Sequence, residues 1–182
     1  MQFVDLYQTL EDRNNEAEVM KHGPYRCERQ YPIPWLGVGY YFWENDLKTA
    51  KAWASRASYI DYYICHTSYD YYTHNFFDLA GNPNDMSIFR GFYDALKEKF
   101  PYKKLTVPFV LEFAIKELGE DFYEIYKAIR ARSEWKDDYY YLPYPTHNTY
   151  YNSNPQIQIC VIDLDFLKTP FVIVEKSKCY RN

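Results

Sequence analysis

Three residues in the last third of the chain have the types and spacing of a chemical site. Gln156 and Gln158 are two residues apart, so a β-strand would place both amides on one face. Amide side chains donate and accept hydrogen bonds but carry no charge. Glu134, at the head of a long polar segment, is the carboxylate best placed to supply a negative charge, and a solvent-exposed loop position is the alternative for it.

Basic side chains and possible metal ligands give weaker evidence of a chemical site. Arg130 and Arg132 could hold a pyrophosphate through paired hydrogen bonds, and surface ion pairs are the alternative for both. The four histidines have no metal-like spacing, and the four cysteines are widely separated without a Cys-x-x-Cys pair. The sequence therefore predicts no metal site, and the cysteine pattern fits a reducing, cytoplasmic setting.

One segment, from Trp35 to Ala54, has the composition of an element that could position such groups. Gly37 and Gly39 lack a Cβ, so the backbone there could pass close to a ligand or to a neighbouring strand. The large residues that follow alternate across a short strand, so Tyr41 shares a face with Trp43. An Asn-Asp pair can then cap a helix. The pattern predicts a glycine turn, an aromatic strand with one face free to line a pocket, and a capped helix.

The same segment carries a resemblance to a known family. Gly37-Val-Gly-Tyr-Tyr-Phe, followed after a short spacer by Lys48-Thr-Ala, resembles the Gly-x-Gly-x-Tyr-Phe…Lys-Ser-Ala signature of poly(ADP-ribose) polymerase-like ADP-ribosyltransferases. It also resembles small bacterial proteins with a Trp-Leu-Gly-x-Gly-x-Tyr-Phe-Trp-Glu segment and a late Ile-Gln-Ile-Cys strand, which Ile157–Cys160 matches. An ordinary sheet that begins with Gly-x-Gly before an aromatic strand is the alternative. The resemblance implies an α+β fold, with an ADP-ribosyltransferase-like split mixed sheet and flanking helices.

The resemblance also implies that NAD is bound as a substrate. In that family the tyrosine matched by Tyr41 stacks on the nicotinamide, and the hydroxyl residue matched by Thr49 lies beside it. The family's first strand ends in His-Gly-Thr, for which His22 and Gln8 compete here. We prefer Gln8, because it ends a predicted strand and precedes a helix, although glutamine departs from the family pattern. The implied NAD-binding residues are Gln8, Thr9, Gly37, Gly39, Tyr41 and Thr49.

A glutamate near the start of a late strand aids transfer in the family, and this chain has Gln156 and Gln158 there. The implied catalytic residues are therefore Gln158 and Gln156, with Glu134 as the substitute acid. The implied function is NAD-dependent mono-ADP-ribosyl transfer to an unknown macromolecular acceptor, protein or nucleic acid, in a bacterial toxin or antiphage effector that could have an antitoxin as partner. The alternative is a non-catalytic module on the same fold that binds a nucleotide or a partner.

Composition limits the class of protein. A chain of 182 residues is most naturally a single domain, spanning 1–182, and 21% of its residues are aromatic, with 22 tyrosines. The net charge of −4 argues against general binding to the phosphate backbone of nucleic acids. The lysine cluster at 97–104 is expected to be a solvated face. No signal peptide or membrane span is predicted, so no membrane partner is expected.

Periodicity and caps predict the remaining elements. Predicted strands are 2–7, 59–66, 75–79, 156–162 and 171–174. Predicted helices are 11–21, 47–56, 83–99 and 107–118, with a single helical turn at 121–126. The segment 67–74 is predicted to be a turn, 127–130 a strand or loop, and 133–155 a mobile loop at the position that presents the acceptor in the resembled family.

Overall fold

A computed structural model describes residues 2–28, 34–73, 75–133, 141–143, 150–152 and 155–178. Within these ranges the chain forms a seven-stranded mixed sheet, a separate pair of strands and five α-helices. The strands are β1 Phe3–Glu11, β2 Tyr40–Glu44, β3 Asp61–Asp70, β4 Phe76–Asp78, β5 Ala128–Arg132, β6 Tyr141–Pro143, β7 Tyr150–Asn152, β8 Ile157–Val161 and β9 Val172–Lys178. The helices are α1 Glu16–His22, α2 Leu47–Arg56, α3 Pro83–Lys99, α4 Val107–Leu118 and α5 Glu120–Ile125.

The large sheet has the strand order β4-β5-β8-β2-β1-β3-β9. β4 and β5 pair in parallel, and the other neighbouring strands are antiparallel. The described structure is therefore mixed α and β, consistent with the predicted α+β class. The aromatic strand β2 lies between β1 and the glutamine-containing strand β8, so residues far apart in the chain become neighbours.

Pairing registers define the two faces of the sheet. Tyr41 pairs with Cys160 and Trp43 pairs with Gln158, so these four side chains share one face. Helices α4 and α5 cover that face near Tyr41, through a cluster that includes Leu111 and Phe122. Helix α2 covers it near Trp43, through Ala50 and Ala54. The opposite face packs a second cluster, whose buried members include Leu6, Phe42, Tyr69, Ile159 and Phe166.

Several element boundaries differ from the predictions. Strand β1 continues to Glu11, because its later residues stay paired with β3 as far as Tyr62. The first helix therefore begins at Glu16, after a turn in which Asn14 has a φ of 57°. The predicted turn at 67–74 is wrong over its first half, because β3 extends to Asp70 and is paired throughout with β1.

The segment predicted as a mobile loop contains paired strands. β6 and β7 form an antiparallel pair in which Tyr141 lies opposite Asn152 and Leu142 opposite Tyr151. This pair is a sheet of its own, separate from the seven-stranded sheet. The loop prediction is therefore wrong for these six residues. Within the described ranges, no helix combines the length and the apolar character needed to cross a membrane.

Candidate functional site

A cavity of about 440 Å³ opens on the sheet face that carries Trp43 and Gln158. All three tryptophans that the structure describes line it, together with two arginines and three other side chains. The lining residues are Trp35, Trp43, Trp53, Arg56, Val107, Arg132, Ser133 and Gln158. A volume of this size is within the range of small-molecule sites.

The sheet supplies the floor and one edge of the cavity. Trp43 on β2 lies directly opposite Gln158 on β8, which in turn lies opposite Ala131 on β5. Arg132 ends β5, and Ser133 follows it with its N–H bonded to the carbonyl of Gln156 at 2.8 Å. Trp43 and Gln158 are therefore held by strand pairing and not by loop conformation.

Helices α2 and α4 supply the other walls. Asp46 caps α2, because its carboxylate accepts a hydrogen bond from the N–H of Thr49 at 2.8 Å. Trp53 and Arg56 are three residues apart on this helix and therefore project from one side of it. Trp53 packs on Trp43 with ring centroids 6.0 Å apart. Val107, in the first turn of α4, lines the cavity from that helix.

Gln158 is held in one orientation by Trp35. The indole Nε1 of Trp35 donates to Oε1 of Gln158 at 2.5 Å. An indole N–H only donates, so the atom of Gln158 that faces it must be the amide oxygen. The amide N–H groups of Gln158 have no hydrogen-bond partner among the described residues, and the side chain is only 7% exposed. Gln158 therefore offers the cavity a hydrogen-bond donor.

The described walls of the cavity carry positive and neutral groups. Arg56 and Arg132 are cationic, and the other lining residues are uncharged. Arg132 forms no ion pair with any residue that the structure describes. Glu134, the acid expected to complete the site, lies outside the described residues, one position beyond Ser133. The described arrangement suits a planar aromatic ligand that bears negative charge.

The NAD-binding residue predicted at the end of the first strand, Gln8, is engaged inside the fold. Its Nε2 donates to the carbonyls of Tyr25 and Tyr41 at 3.1 and 3.3 Å. Its Oε1 accepts from the N–H of Tyr25 at 3.2 Å. Both amide hydrogens are therefore used to hold the segment after α1 against the sheet. Gln8 does not line the tryptophan cavity.

Tyr41, predicted to stack on nicotinamide, does not line the tryptophan cavity either. Its hydroxyl donates to the carbonyl of Gly37 at 2.7 Å and accepts from the N–H of Leu36 at 2.9 Å. Its ring packs against the cluster beneath α4 and α5, which includes Cys160. Burial raises the pKa of Tyr41 well above its ordinary value. The indole of Trp43, two residues later on the same face, provides the aromatic surface at the cavity.

Of the remaining predicted NAD-binding residues, three take part in packing contacts inside the fold and one lines a second cavity. Thr9 donates to the carbonyl of Ala50 at 2.5 Å, and Thr49 is 3% exposed, so both belong to the contact between α2 and the sheet. A Cβ on Gly39 would lie 2.5 Å from Sγ of Cys160, so this glycine permits close strand approach. Gly37, with a φ of 88°, lines a separate cavity of about 480 Å³ with mostly apolar walls.

The other predicted catalytic residue, Gln156, is buried. It is 4% exposed, and its Oε1 has no hydrogen-bond partner. It directly precedes β8 and is not among the residues that line the tryptophan cavity. Of the two glutamines, only Gln158 reaches the cavity.

Arg130, considered from sequence as a pyrophosphate ligand, is instead the centre of a buried ion-pair network. Its guanidinium bonds both carboxylate oxygens of Glu44 at 2.7 and 2.8 Å and Oδ1 of Asp78 at 3.0 Å. The three side chains are 12%, 8% and 6% exposed. Burial alone would lower the pKa of Arg130, but the hydrogen bonds and charges of the two acids outweigh it and raise that pKa. Arg130 is therefore an ion-pair partner, as the alternative for it had it, but a buried one, and three of its five N–H groups are used by the two acids.

Sequence reasoning missed the tryptophan cavity as a unit. Trp53 and Arg56 appeared only as part of a helix, and Trp35 only as part of a motif. Pairing between β2 and β8, which no local pattern predicts, brings Gln158 to the indoles. Comparisons of this chain with family models, with curated proteins and with solved structures found no match.

Proposed function

We propose that the protein binds NAD in the tryptophan cavity and acts as an ADP-ribosyltransferase-like enzyme on a macromolecular acceptor. The observation that carries this proposal is the position of Gln158. This residue stands where the resembled family has its acid, and it lies on the wall of a cavity lined by three indoles and two guanidiniums. The strand that resembles the family's Gly-x-Gly-x-Tyr-Phe motif is its direct neighbour in the sheet.

The cavity walls match the chemistry of a dinucleotide. Indole faces stack on planar rings such as nicotinamide or adenine, each stacked base contributing about 1–3 kcal/mol. Guanidiniums bind pyrophosphate oxygens through charge-assisted hydrogen bonds. The free amide N–H groups of Gln158 can donate to a ribose hydroxyl. Each class of group on NAD therefore has a partner on the described walls.

The transfer step needs a negative charge that the described walls lack. Breaking the bond between nicotinamide and ribose C1′ leaves an oxocarbenium-like sugar, which the acceptor then attacks. Gln158 can position the ribose but cannot neutralise this cation. Loss of one such electrostatic group slows a reaction by about 10²–10³ and does not abolish it. Glu134 directly follows the lining residue Ser133, whereas Glu44, which directly follows the lining residue Trp43, is already paired with Arg130.

A non-catalytic nucleotide-binding module is the second candidate. One observation favours it: none of the described lining residues is a carboxylate. The two candidates share the same binding site and differ only in turnover. A binding test and a turnover test are therefore both required.

The binding test uses the tryptophans as reporters. Because three of the four tryptophans line the cavity, NAD should quench the intrinsic fluorescence of the protein in a saturable way. Arg132→Ala should weaken binding by about tenfold or more, through loss of charge-assisted hydrogen bonds. Arg90→Ala is the matched control, because Arg90 pairs with Asp94 on α3 and does not line the cavity. Absence of saturable quenching in the wild type would contradict both candidates.

The turnover test measures nicotinamide release and ADP-ribosylated products by mass spectrometry, with cell lysate as the acceptor source. The transferase proposal expects release from the wild type, and Glu134→Ala should slow it by about 10²–10³. Gln158→Glu should raise release if the charge is otherwise missing, because a carboxylate would then face the sugar cation. NAD binding without release from any of the three proteins would favour the non-catalytic module.

A further inference from the structure

The corner that joins α3 to α4 is strongly basic in an otherwise acidic chain. Within residues 97–104, here called the basic corner, there are four lysines and one acid, Glu98, whereas the whole chain has a net charge of −4. The lysines are Lys97, Lys99, Lys103 and Lys104, and all four are exposed. None of them forms an ion pair with a residue that the structure describes. Their positive charge is therefore available to a polyanion.

A hydrogen-bonded turn presents an aromatic ring at the tip of this corner. The N–H of Lys103 donates to the carbonyl of Phe100 at 3.1 Å, which closes a four-residue turn. Pro101 occupies the second position, where its fixed φ favours the turn. Tyr102 follows and is 100% exposed, and Phe100 beside it is 38% exposed. The tyrosine ring is thus held out in solvent by a preorganised backbone.

Aromatic rings also hold two of the ammonium groups. Nζ of Lys103 lies 3.7 Å from the ring centroid of Phe109 and 5.6 Å from that of Phe100. Nζ of Lys99 lies 5.7 Å from the ring centroid of Phe100. Cation–π contacts of this kind reduce the freedom of lysine side chains that would otherwise be mobile. The corner therefore carries positioned cations beside an exposed ring.

Few acids near the basic corner oppose its charge. Glu98 lies within it, and Asp94 on the preceding turn of α3 is paired with Arg90 at 2.8 Å. On α4 the nearest acid in sequence is Glu112, more than one helical turn beyond the start of the helix at Val107. Val107 itself lines the tryptophan cavity. Because Lys104 precedes it by three residues, their Cα atoms are at most about 11 Å apart.

We propose that the basic corner binds single-stranded nucleic acid, with a base stacked on Tyr102 and phosphates contacted by the lysines. Exposed aromatic rings interleaved with cations are the features by which proteins hold single strands, because every base has a stacking face and every nucleotide a phosphate. The overall acidity of the chain limits the contact to this local surface. If the proposed transferase function also holds, the bound strand is the acceptor, because the corner leads directly to the cavity.

The test measures fluorescence anisotropy of labelled single-stranded oligonucleotides, of about 12 nucleotides, without NAD. Binding should weaken with rising salt. Lys103→Glu combined with Lys104→Glu should reduce affinity by about tenfold or more. Tyr102→Ala should reduce it by about five- to a hundredfold, and Tyr102→Phe should retain it, since phenylalanine keeps the stacking face. Lys21→Glu is the matched control, because α1 packs through Val19 on the opposite face of the sheet.

Three outcomes would overturn the proposal. The first is absence of oligonucleotide binding by the wild type at low salt. The second is binding that is insensitive to both the lysine and the Tyr102 substitutions. The third is tighter binding to phosphatidylserine vesicles or to polyglutamate than to the oligonucleotide, which would make the corner a surface for a membrane or an acidic protein. The oligonucleotide assay contains no NAD, so its result does not depend on the tryptophan cavity. Oligonucleotide binding by a protein that does not bind NAD would support the proposal for the basic corner and contradict only the two candidate functions of the tryptophan cavity.

Discussion

At the scale of single residues, the most constrained charges are those of Arg130 and its two acids. Glu44 comes directly after the aromatic residues of β2, and it accepts hydrogen bonds from Arg130 and also from the hydroxyl of Tyr69 at 3.0 Å. Asp78 accepts from Arg130 and from the backbone N–H groups of the following turn. The network ties β2, β4 and β5 together. A buried pair of this kind is stable only while every partner is present.

Arg130→Ala should therefore lower the free energy of unfolding by about 3–5 kcal/mol, because it leaves two buried carboxylates without their cation. Urea unfolding followed by circular dichroism measures the change. Arg132→Ala, two residues later on the same strand, is the control. Arg132 is exposed and unpaired among the described residues, so its removal should change stability by no more than about 0.5 kcal/mol. Equal losses from the two variants would contradict the role assigned to the network.

A second residue-scale contact affects stability at acid pH. The hydroxyl of Tyr63, a fully buried side chain, donates to Oδ1 of Asp12 at 2.5 Å. This hydrogen bond lowers the pKa of Asp12. Burial and the same contact raise the pKa of Tyr63 to about 12. A depressed carboxyl pKa stabilises the fold above the unfolded pKa of about 3.9, and that stability is lost as the pH falls through the folded value.

Tyr63→Phe should destabilise the protein more at about pH 7 than at about pH 2, because only the ionised carboxylate gains from the hydroxyl. Urea midpoints at the two pH values measure the difference. Tyr62→Phe is the control, since Tyr62 has no described contact with Asp12, and its effect should be the same at both pH values. A Tyr63→Phe effect that does not depend on pH would show that the hydroxyl does not interact with the ionised acid.

At the scale of elements, the contact between β2 and β8 determines the tryptophan cavity. Both strands supply walls of the cavity, and the turn before β2 supplies Trp35. Gly39 lies where this turn meets β8. A Cβ there would lie 2.5 Å from Sγ of Cys160 and 2.6 Å from the carbonyl oxygen of Val161. The glycine is therefore required for the strands to come this close.

Gly39→Ala should lower the free energy of unfolding by about 1–3 kcal/mol through overpacking, and it should also weaken NAD binding by displacing Trp35 and Trp43. Gly91→Ala on α3 is the matched control, because its Cβ would meet nothing within 4 Å. In a helix that substitution should raise stability by about 0.5–1 kcal/mol. Thermal unfolding of both variants measures the contrast. A neutral Gly39→Ala would show that the two strands separate easily.

The paired strands β6 and β7 lead to a second prediction at the scale of elements. A two-stranded sheet has few neighbours and is marginally stable by itself. We expect amide hydrogen exchange in 141–143 and 150–152 to be faster than in Ile157–Val161, which has strands on both sides. Mass spectrometry of deuterated fragments measures this. Equal protection would indicate that the pair is packed against the rest of the protein.

At the scale of the whole molecule, the large sheet draws neighbouring strands from distant parts of the sequence. Strand β1 begins at residue 3, its neighbour β2, the central strand, pairs with β8, and the edge strand β9 ends at residue 178. Strands β2, β1 and β3 pair within the first half of the chain, but β8 and β9, from its end, pair on either side of them. The described elements therefore depend on one another for stability.

Urea should accordingly unfold the protein in a single transition, with the same midpoint by tryptophan fluorescence and by far-ultraviolet circular dichroism. The tryptophans report the cavity between β2, β8 and α2, whereas circular dichroism reports all helices and strands. A fluorescence change at lower urea would contradict the expectation of one cooperative unit. It would show that the cavity opens before the sheet does.

The sequence by itself determined the elements whose signals are local. The helices at Pro83–Lys99 and Val107–Leu118 are confirmed within a residue, because capping residues, proline in the first turn and apolar spacing all act within one or two turns. The sequence of glycine turn, aromatic strand and capped helix from 35 to 56 is confirmed for the same reason.

Only the tertiary structure decided which side chains meet. Local patterns did not show whether the amide of Gln8 stabilises the fold or binds NAD, because its hydrogen-bond partners are 17 and 33 residues away in the sequence. They did not join Arg130 to Glu44, 86 residues distant, or place Trp35 beside Gln158, 123 residues distant. Periodicity assigns a residue to a face of its own element, but strand order and pairing register are properties of the whole sheet. They determine whether that face lines a cavity or fills the core.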